Sequence, residues 1–475
     1  MEAGDDLPRR ADSGAARRHA AGRRPLRQQP DLLRDRRMRP FGGEPPVDRR
    51  AVASWCLYDW ANSAYNTIIT TFVFSVYFAR GVVGDPVAGT SRWSVAMTVA
   101  GIAIALLSPV LGAIADRSGR RKPWMALFTG ITVLLSAALW WVEPDPSFAL
   151  FALVCVVVAT VSFELANVFY NATLPGLVPA RLLGRVSGWG WGIGYFGGLV
   201  CLVVALFGFV KAEAPLFGLL GAAWDDWGPQ ANIRATALLV AVWYGLFALP
   251  YFLWVPDEPS SGRPLGQAVR EGIGMLGRTL REARRYKQTV RFLVASAFYR
   301  DGINTITAFG GIFAAGSFGM GFEEIVIFAI ALNVVAGAGA IGFAWMDDRA
   351  GAKPVILLAL LGMTAFGVPL LLATDKLWFW VLALGLGAFF GPAQAAGRSM
   401  MARLAPPGMT TEMFGLYGLT GRFVGFFGPL LFGLATEAFA SQRAGMGTVL
   451  VFFVVGFVLM MGVREPDRSR QNAAA

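Results

Sequence analysis

The chain has one histidine, His19, in 475 residues, and only three cysteines, Cys56, Cys155 and Cys201. His19 falls in a polar N-terminal stretch, so a histidine proton relay or a histidine-ligated metal among the apolar segments is excluded. The cysteines lie far apart without C-x-x-C spacing, which argues against a zinc site and against a disulfide framework. Charged residues are scarce, at 15%. No Walker sequence occurs and no G-x-G-x-x-G follows a strand pattern, so ATP-driven work and dinucleotide chemistry are not expected. A nucleophile motif with a histidine partner is missing too, which removes a membrane-embedded hydrolase. The expectation is a non-enzyme without metal or organic cofactor. No apolar h-region follows the N-terminal arginines before Val52, so a signal peptide is not expected; Met38 offers an alternative start.

What the chain does have is apolar residues, 55% of it, with a mean hydropathy of +0.52. That points to a polytopic, all-α membrane protein. The net charge of +11 forms no stripe of the kind that binds nucleic acid. Its basic residues recur in alternate loops, which is the bias that sets membrane orientation. Twelve apolar stretches have spanning length: 52–79, 93–115, 123–142, 147–175, 187–210, 232–255, 291–317, 323–346, 354–373, 377–402, 411–435 and 446–463. Loops 116–122, 180–186, 256–290, 347–353 and 403–410 hold most loop arginines, and the opposite loops lean acidic. Both termini are therefore expected on the cytoplasmic side of what reads as a bacterial inner membrane.

The organisation follows from the same pattern. Residues 1–50 read as a disordered basic tail. Residues 51–255 and 291–463 are two six-helix bundles, 464–475 is a cytoplasmic tail, and 256–290 is a linker. Within the linker, Val269, Ile273, Leu276, Leu280 and Ala283 recur at helical spacing between Arg270, Arg278, Arg281 and Arg284, the pattern of a basic amphipathic helix on a membrane face.

The chain also says the same thing twice. Tyr58-Asp59-Trp60-Ala61-Asn62 in the first stretch has a counterpart in Tyr299-Arg300-Asp301-Gly302-Ile303-Asn304 in the seventh. Each is followed by a basic reversal, Asp116-Arg117-Ser118-Gly119-Arg120-Arg121-Lys122-Pro123 and Asp348-Arg349-Ala350-Gly351-Ala352-Lys353-Pro354. Pro179 before Ser187-Gly188 is echoed by Pro406 before Phe414-Gly415. A buried acid repeated in register across two halves is the mark of a transporter built by duplication. In the first reversal Asp116 can pair with Arg120 or with a neighbouring helix terminus, and Gly119 permits the tight turn.

Charges inside the spans balance: Asp59, Glu164 and Asp301 against Arg300, Arg398 and Arg422, as expected where each needs a partner. Asp59, Asn62 and Asn66 share one helix face, as do Glu164, Asn167 and Asn171. Asp301 and Asn304 lie one turn apart, and so do Gln394 and Arg398. Arg300 faces away from its neighbour Asp301, so at least one of the two should pair structurally, with Arg300 the candidate. Glu164, near mid-span and without an adjacent cation, is the first candidate for proton coupling unless Arg398 or Arg422 holds it ionised. Asp59 is the second.

The first basic loop resembles the signature loop of the major facilitator superfamily. Within that superfamily, Trp55-Cys56-Leu57-Tyr58-Asp59-Trp60-Ala61-Asn62-Ser63-Ala64-Tyr65 is similar to the first helix of the vacuole-effluxer-like permeases. So are Val168-Phe169-Tyr170-Asn171-Ala172-Thr173-Leu174-Pro175, Ser187-Gly188-Trp189-Gly190-Trp191, Tyr299-Arg300-Asp301-Gly302 and Gln394-Ala395-Ala396-Gly397-Arg398-Ser399. Ala396-Gly397 departs from an expected serine, and Arg422 stands where a lysine is commoner. The resemblance implies the major facilitator fold, twelve transmembrane helices in two pseudo-symmetric six-helix bundles. The first, fourth, seventh and tenth helices would line the cavity, and Asp59, Asn62, Asn66, Glu164, Asn167, Asn171, Asp301, Asn304, Gln394 and Arg398, with Arg422 of the eleventh, are its expected lining. It also implies that the loops latch the halves in the outward-facing state, through Asp116, Arg117, Gly119, Arg120 and Arg121 and through Asp348, Arg349, Gly351 and Lys353. The second latch should be weaker, with Ala352 where the first copy has Arg120. The implied function is secondary transport of a small polar or zwitterionic solute, with amino-acid efflux the leading case and protons a possible partner, by a monomer in the bilayer. A lipophilic or lipid-like cargo, or a non-transporting sensor or assembly factor on the same scaffold, stays open.

Overall fold

The computed structural model describes residues 47–210, 228–259, 262, 265–281, 286–320, 322–406, 408–425 and 427–465. Residues 1–46 of the expected N-terminal tail and the segment from 466 onward lie outside them, as do Ala283 and Arg284 of the linker. Among the described residues the chain is helical, without strands. Its α-helices are α1 (Arg49–Ala64), α2 (Phe74–Tyr77), α3 (Pro86–Ser118), α4 (Lys122–Ala138), α5 (Ala149–Leu177), α6 (Leu183–Ala205), α7 (Ala231–Trp254), α8 (Leu265–Arg281) and α9 (Lys287–Phe318). They continue as α10 (Phe322–Ala350), α11 (Ala352–Leu372), α12 (Lys376–Gly387), α13 (Phe390–Leu404), α14 (Thr410–Val424), α15 (Phe427–Ala438) and α16 (Gln442–Met461).

Nine helical spans among the described residues are long and apolar enough to cross a membrane. They match nine of the twelve stretches expected from hydropathy. The other three are helical but interrupted or charged. The first begins as α1, whose N-terminus is capped by the Asp48 carboxylate, and loosens into π-helical turns at Tyr65–Phe72. The seventh, α9, carries Arg300 and Asp301. The eleventh breaks between α14 and α15.

Two restarts share one local cause. Helix α13 opens with Phe390-Gly391-Pro392 and α15 with Phe427-Gly428-Pro429. A proline in the first turn removes an N–H that has no intrahelical partner there, so a helix starts easily at such a site but does not run through it. The α15 start is then capped from α9, where Asp301 Oδ2 accepts from the Gly428 N–H at 2.8 Å.

Helix pairs from the two halves of the chain meet at the end that carries the basic loops. A Cβ placed on Gly112 of α3 would lie 2.6 Å from the carbonyl oxygen of Thr411, and one on Gly415 of α14 would lie 2.6 Å from that of Ser108. Helices α3 and α14 thus touch backbone to backbone, which only small residues allow. Helix α6 meets α10 in the same way, with Gly188 against Ala340 and Ala344. The linker helix α8 lies against α3, with Gly272 packed on the backbone of Ile114 and Ile273 exposed. The side chain of Leu280, expected on its apolar face, lies outside the described residues.

Candidate functional site

A cavity of about 550 Å³ lies between helices of both halves. Asp59 and Asn62 of α1, Asn66 in the π-helical turns after it, Glu164, Asn167 and Asn171 of α5, Asn304 of α9, and Gln394 and Arg398 of α13 all line it. These nine came from helical spacing in the sequence. Trp191 and Tyr195 of α6, Asn333 of α10 and Tyr417 of α14 line it as well and were not anticipated, because an isolated polar or aromatic residue in an apolar helix carries no periodic signal. Cross-helix bonds order the walls: Asn62 Nδ2 donates to Asn167 Oδ1 at 3.1 Å, and Gln394 Nε2 to the Tyr195 hydroxyl at 3.1 Å. Asn66 and Asn304 are exposed while Arg398 is buried, so the cavity opens away from the basic loops.

Two expectations about these residues are corrected. Asp301 does not line the cavity; it is wholly buried and turned toward Gly428. Arg300, expected to form a structural pair, lines the cavity instead. Adjacent helical residues point about 100° apart, so once α9 packs Asp301 against α15, Arg300 swings inward. The Arg422 side chain lies outside the described residues.

The floor of the cavity is built around Arg398. Its Nη1 donates to Asp59 Oδ2 at 2.9 Å and to Asn171 Oδ1 at 3.2 Å. Nε donates to Ser187 Oγ at 3.0 Å and Nη2 to the Ser187 carbonyl at 2.6 Å. The guanidinium also stacks 4.7 Å from the Trp55 ring. A C-terminal-half arginine is thereby tied to α1, α5 and α6 of the N-terminal half. Asp59 has no neighbouring cation in sequence, and its counter-ion arrives from residue 398. The aromatic residues of the first-helix motif serve packing. Trp55, Tyr58 and Tyr65 are fully buried, and the Tyr58 hydroxyl bonds to those of Thr129 at 2.6 Å and Tyr244 at 2.9 Å.

Below the floor, each half of the chain caps a helix of the other. Asp116 Oδ1 accepts from the Thr411 N–H at 3.1 Å and the Thr411 hydroxyl at 2.7 Å, and Oδ2 accepts from the Glu412 N–H at 2.9 Å. A carboxylate at a helix N-terminus satisfies orphan donors and suits the helix dipole. Its basic partner is Arg121 at 3.1 Å, not Arg120, which is exposed. Arg121 also donates to Thr411 Oγ1 at 2.8 Å and meets Glu258 at 2.5 Å. In the second copy Asp348 caps α6, accepting from the Arg185 N–H at 3.0 Å and pairing with Arg185 Nε at 3.1 Å. Gly119 and Gly351 turn both loops with positive φ, at 83° and 105°.

The duplication extends to bonds the motifs did not announce. Asp257 accepts from the Arg121 and Lys122 N–H groups at 3.0 and 3.3 Å, and Glu465 from those of Ala352 and Lys353, both at 3.2 Å. Lys122 Nζ donates to the Phe252 carbonyl at 3.0 Å, and Lys353 Nζ to those of Met461 and Val463 at 2.8 and 2.7 Å. Ala352 thus stands where Arg121 does and not, as expected, where Arg120 does, and Arg403 fills in from α13, pairing with Asp347 at 2.6 Å and Glu465 at 2.9 Å. Asp257, Glu258, Asp347, Arg403 and Glu465 were missed. A signal existed: Val255-Pro256-Asp257-Glu258-Pro259 is echoed by Val463-Arg464-Glu465-Pro466.

Comparisons with known proteins agree with this geometry. The family profile described as vacuole effluxer Atg22 like matches residues 47–474. The chain is 27% identical over 421 residues to an uncharacterized MFS-type transporter, YxiO, of Bacillus subtilis, covering 87% of this chain and 94% of that one. It is 26% identical over 319 residues to autophagy-related protein 22-1 of Penicillium rubens, covering 62% of this chain but only 51% of the fungal protein, about half its length. Among solved structures, the proton:xylose symporter XylE superposes with a TM-score of 0.69 at 15% identity, covering 90% of this chain and 98% of that one. FucP in its outward conformation superposes with a TM-score of 0.68 at 14% identity, covering 88% and 100%. At such identities these likenesses establish the major facilitator fold alone.

Proposed function

The chain belongs to the vacuole effluxer Atg22-like family, whose relatives are MFS-type transporters and not enzymes, and on that premise we propose that it carries a small zwitterionic solute across a membrane by alternating access. An amino acid is the leading cargo, its export driven by the proton gradient. The observation that carries this reading is the cavity. Its walls offer carboxylates, guanidinium groups and asparagines together, the chemistry that a solute bearing both an ammonium and a carboxylate requires. A lipid-like cargo would call for apolar walls in their place.

The positive-inside rule puts the basic loops and both termini in the cytoplasm of a bacterial cell, with residues 51–255 and 291–463 as the two rocking bundles of a monomer. On that orientation the structure is outward-facing. The Asp116 and Asp348 caps act as latches on the closed cytoplasmic side, and α3–α14 and α6–α10 are the seams that must part when the cavity turns inward. Glu164, half-buried on the cavity wall, is the proton-coupling carboxylate.

Reconstitution into proteoliposomes with a panel of amino acids, with and without a pH gradient, tests both parts. Transport of at least one amino acid is expected. In Glu164→Gln, exchange should persist while its dependence on the pH gradient disappears. Absence of transport for the whole panel would remove the cargo, and gradient-driven transport by Glu164→Gln would remove the coupling role.

A further inference from the structure

Two arginines with resolved surroundings line the cavity, and they differ in how their donors are used. The Arg398 fork gives four N–H groups to protein acceptors. Arg300 gives one N–H to the Tyr417 carbonyl at 3.0 Å and rests with its Cζ 4.2 Å from the centre of the Tyr417 ring. A guanidinium carries five N–H groups in a rigid plane, so most of this fork is uncommitted. Among the described residues no carboxylate pairs with it. A cation in a membrane-embedded cavity normally has its partner supplied, and here the open position faces the cavity.

We infer that Arg300 is the carboxylate anchor of the transported solute, taking it through its planar fork, while the Arg398–Asp59 pair is a closure that takes no part in holding it. This rests on the zwitterionic-solute reading and narrows it to solutes with a free carboxylate. The seat is shaped for that job. The Tyr417 ring lies against one side of the guanidinium, with Cζ 4.2 Å from its centre. Gly421, one turn along α14, leaves room for it: a Cβ there would lie 3.0–3.2 Å from Nη1, Cζ and Nη2. Arginine is suited to planar, two-point recognition of a carboxylate in a way that lysine is not.

The test is binding to the purified full-length chain in nanodiscs. The probes are the common amino acids together with lactate and succinate, each beside its carboxamide. Wild type should bind at least one free acid about tenfold or more tighter than the amide, the scale of a charged hydrogen-bond pair. Arg300→Gln should erase that preference, and Arg300→Lys should keep only part of it. Gly421→Ala, which displaces the guanidinium but leaves its charge, should weaken acid binding several-fold. Ligand-free melting temperatures check folding; if Arg300→Gln is unstable, Gly421→Ala and the wild-type comparison of acid with amide decide. Equal binding of acid and amide by wild type, or a preference that survives in Arg300→Gln, overturns the assignment. Lactate or succinate binding through Arg300 with no amino acid bound would keep the anchor and remove the zwitterionic cargo. Amino-acid transport that needs the free carboxylate yet persists unchanged in Arg300→Gln would keep the zwitterionic cargo and remove the anchor.

Discussion

Arg398 and Arg300 face the same cavity from two helices of the C-terminal half, yet their surroundings make them opposites. Arg398 is buried at 4% exposure, and each of its three nitrogens finds a protein acceptor on the other half of the chain. Arg300 keeps one backbone bond and a ring beneath it. A charge in a membrane cavity is therefore not a role in itself. What separates a closure from a binding group is whether the protein has already supplied the partners.

The largest effect should come from dissolving the closed member of the pair. Arg398→Ala strands the Asp59 carboxylate and removes the bonds from α13 to Asp59 and Asn171 and two of those to Ser187, a break worth about 3–5 kcal/mol for a buried ion pair. Thermal unfolding should shift down markedly and solute exchange should cease; wild-type exchange would dismiss the closure. A smaller disturbance leaves both charges intact. Gly190→Ala puts a Cβ 2.6 Å from Asp59 Oδ2 and 2.8 Å from Arg398 Nη2, an overpacking worth about 1–3 kcal/mol. Slower exchange with carboxylate binding unchanged is expected, and a loss of binding instead would show that the two arginines are not separable. The least effect belongs to the cap below the floor. Asp116→Asn retains one acceptor oxygen but loses the charge at the α14 N-terminus, about 1 kcal/mol. Spin labels across the basic-loop end should show a larger open fraction by double electron–electron resonance, with solute affinity at Arg300 nearly preserved.

Much of the site was legible in the chain because helices are regular. The i, i+3, i+7 series from Asp59 and from Glu164 lie on single faces, and a face with several polar groups turns to the cavity as a unit, since lipid offers those groups nothing. The doubled loops showed the duplication and their Asp residues showed which side chain reaches across. What escaped was carried by single residues. Asn333 and Tyr417 interrupt otherwise apolar helices, and Arg403 enters from a helix whose inward polar face was already assigned to Gln394 and Arg398.

The chain by itself determined the apolar helices, their twofold repetition and the relative phase of residues along each helix, because local hydrogen bonding sets a fixed period and hydropathy marks the spans. Tertiary structure alone decided absolute phase. Two adjacent helical pairs make the point: Arg300 and Asp301, and Asp347 and Asp348. In each, neighbouring residues point about 100° apart, so the two members reach different surroundings: Asp301 meets Gly428 while Arg300 lines the cavity, and Asp347 meets Arg403 while Asp348 meets Arg185. Which surroundings each meets depends on how the helix is rotated when it packs. In α9 that rotation follows from the Gly428 N–H that Asp301 must cap, a partner 127 residues away in the chain and invisible until the helices meet.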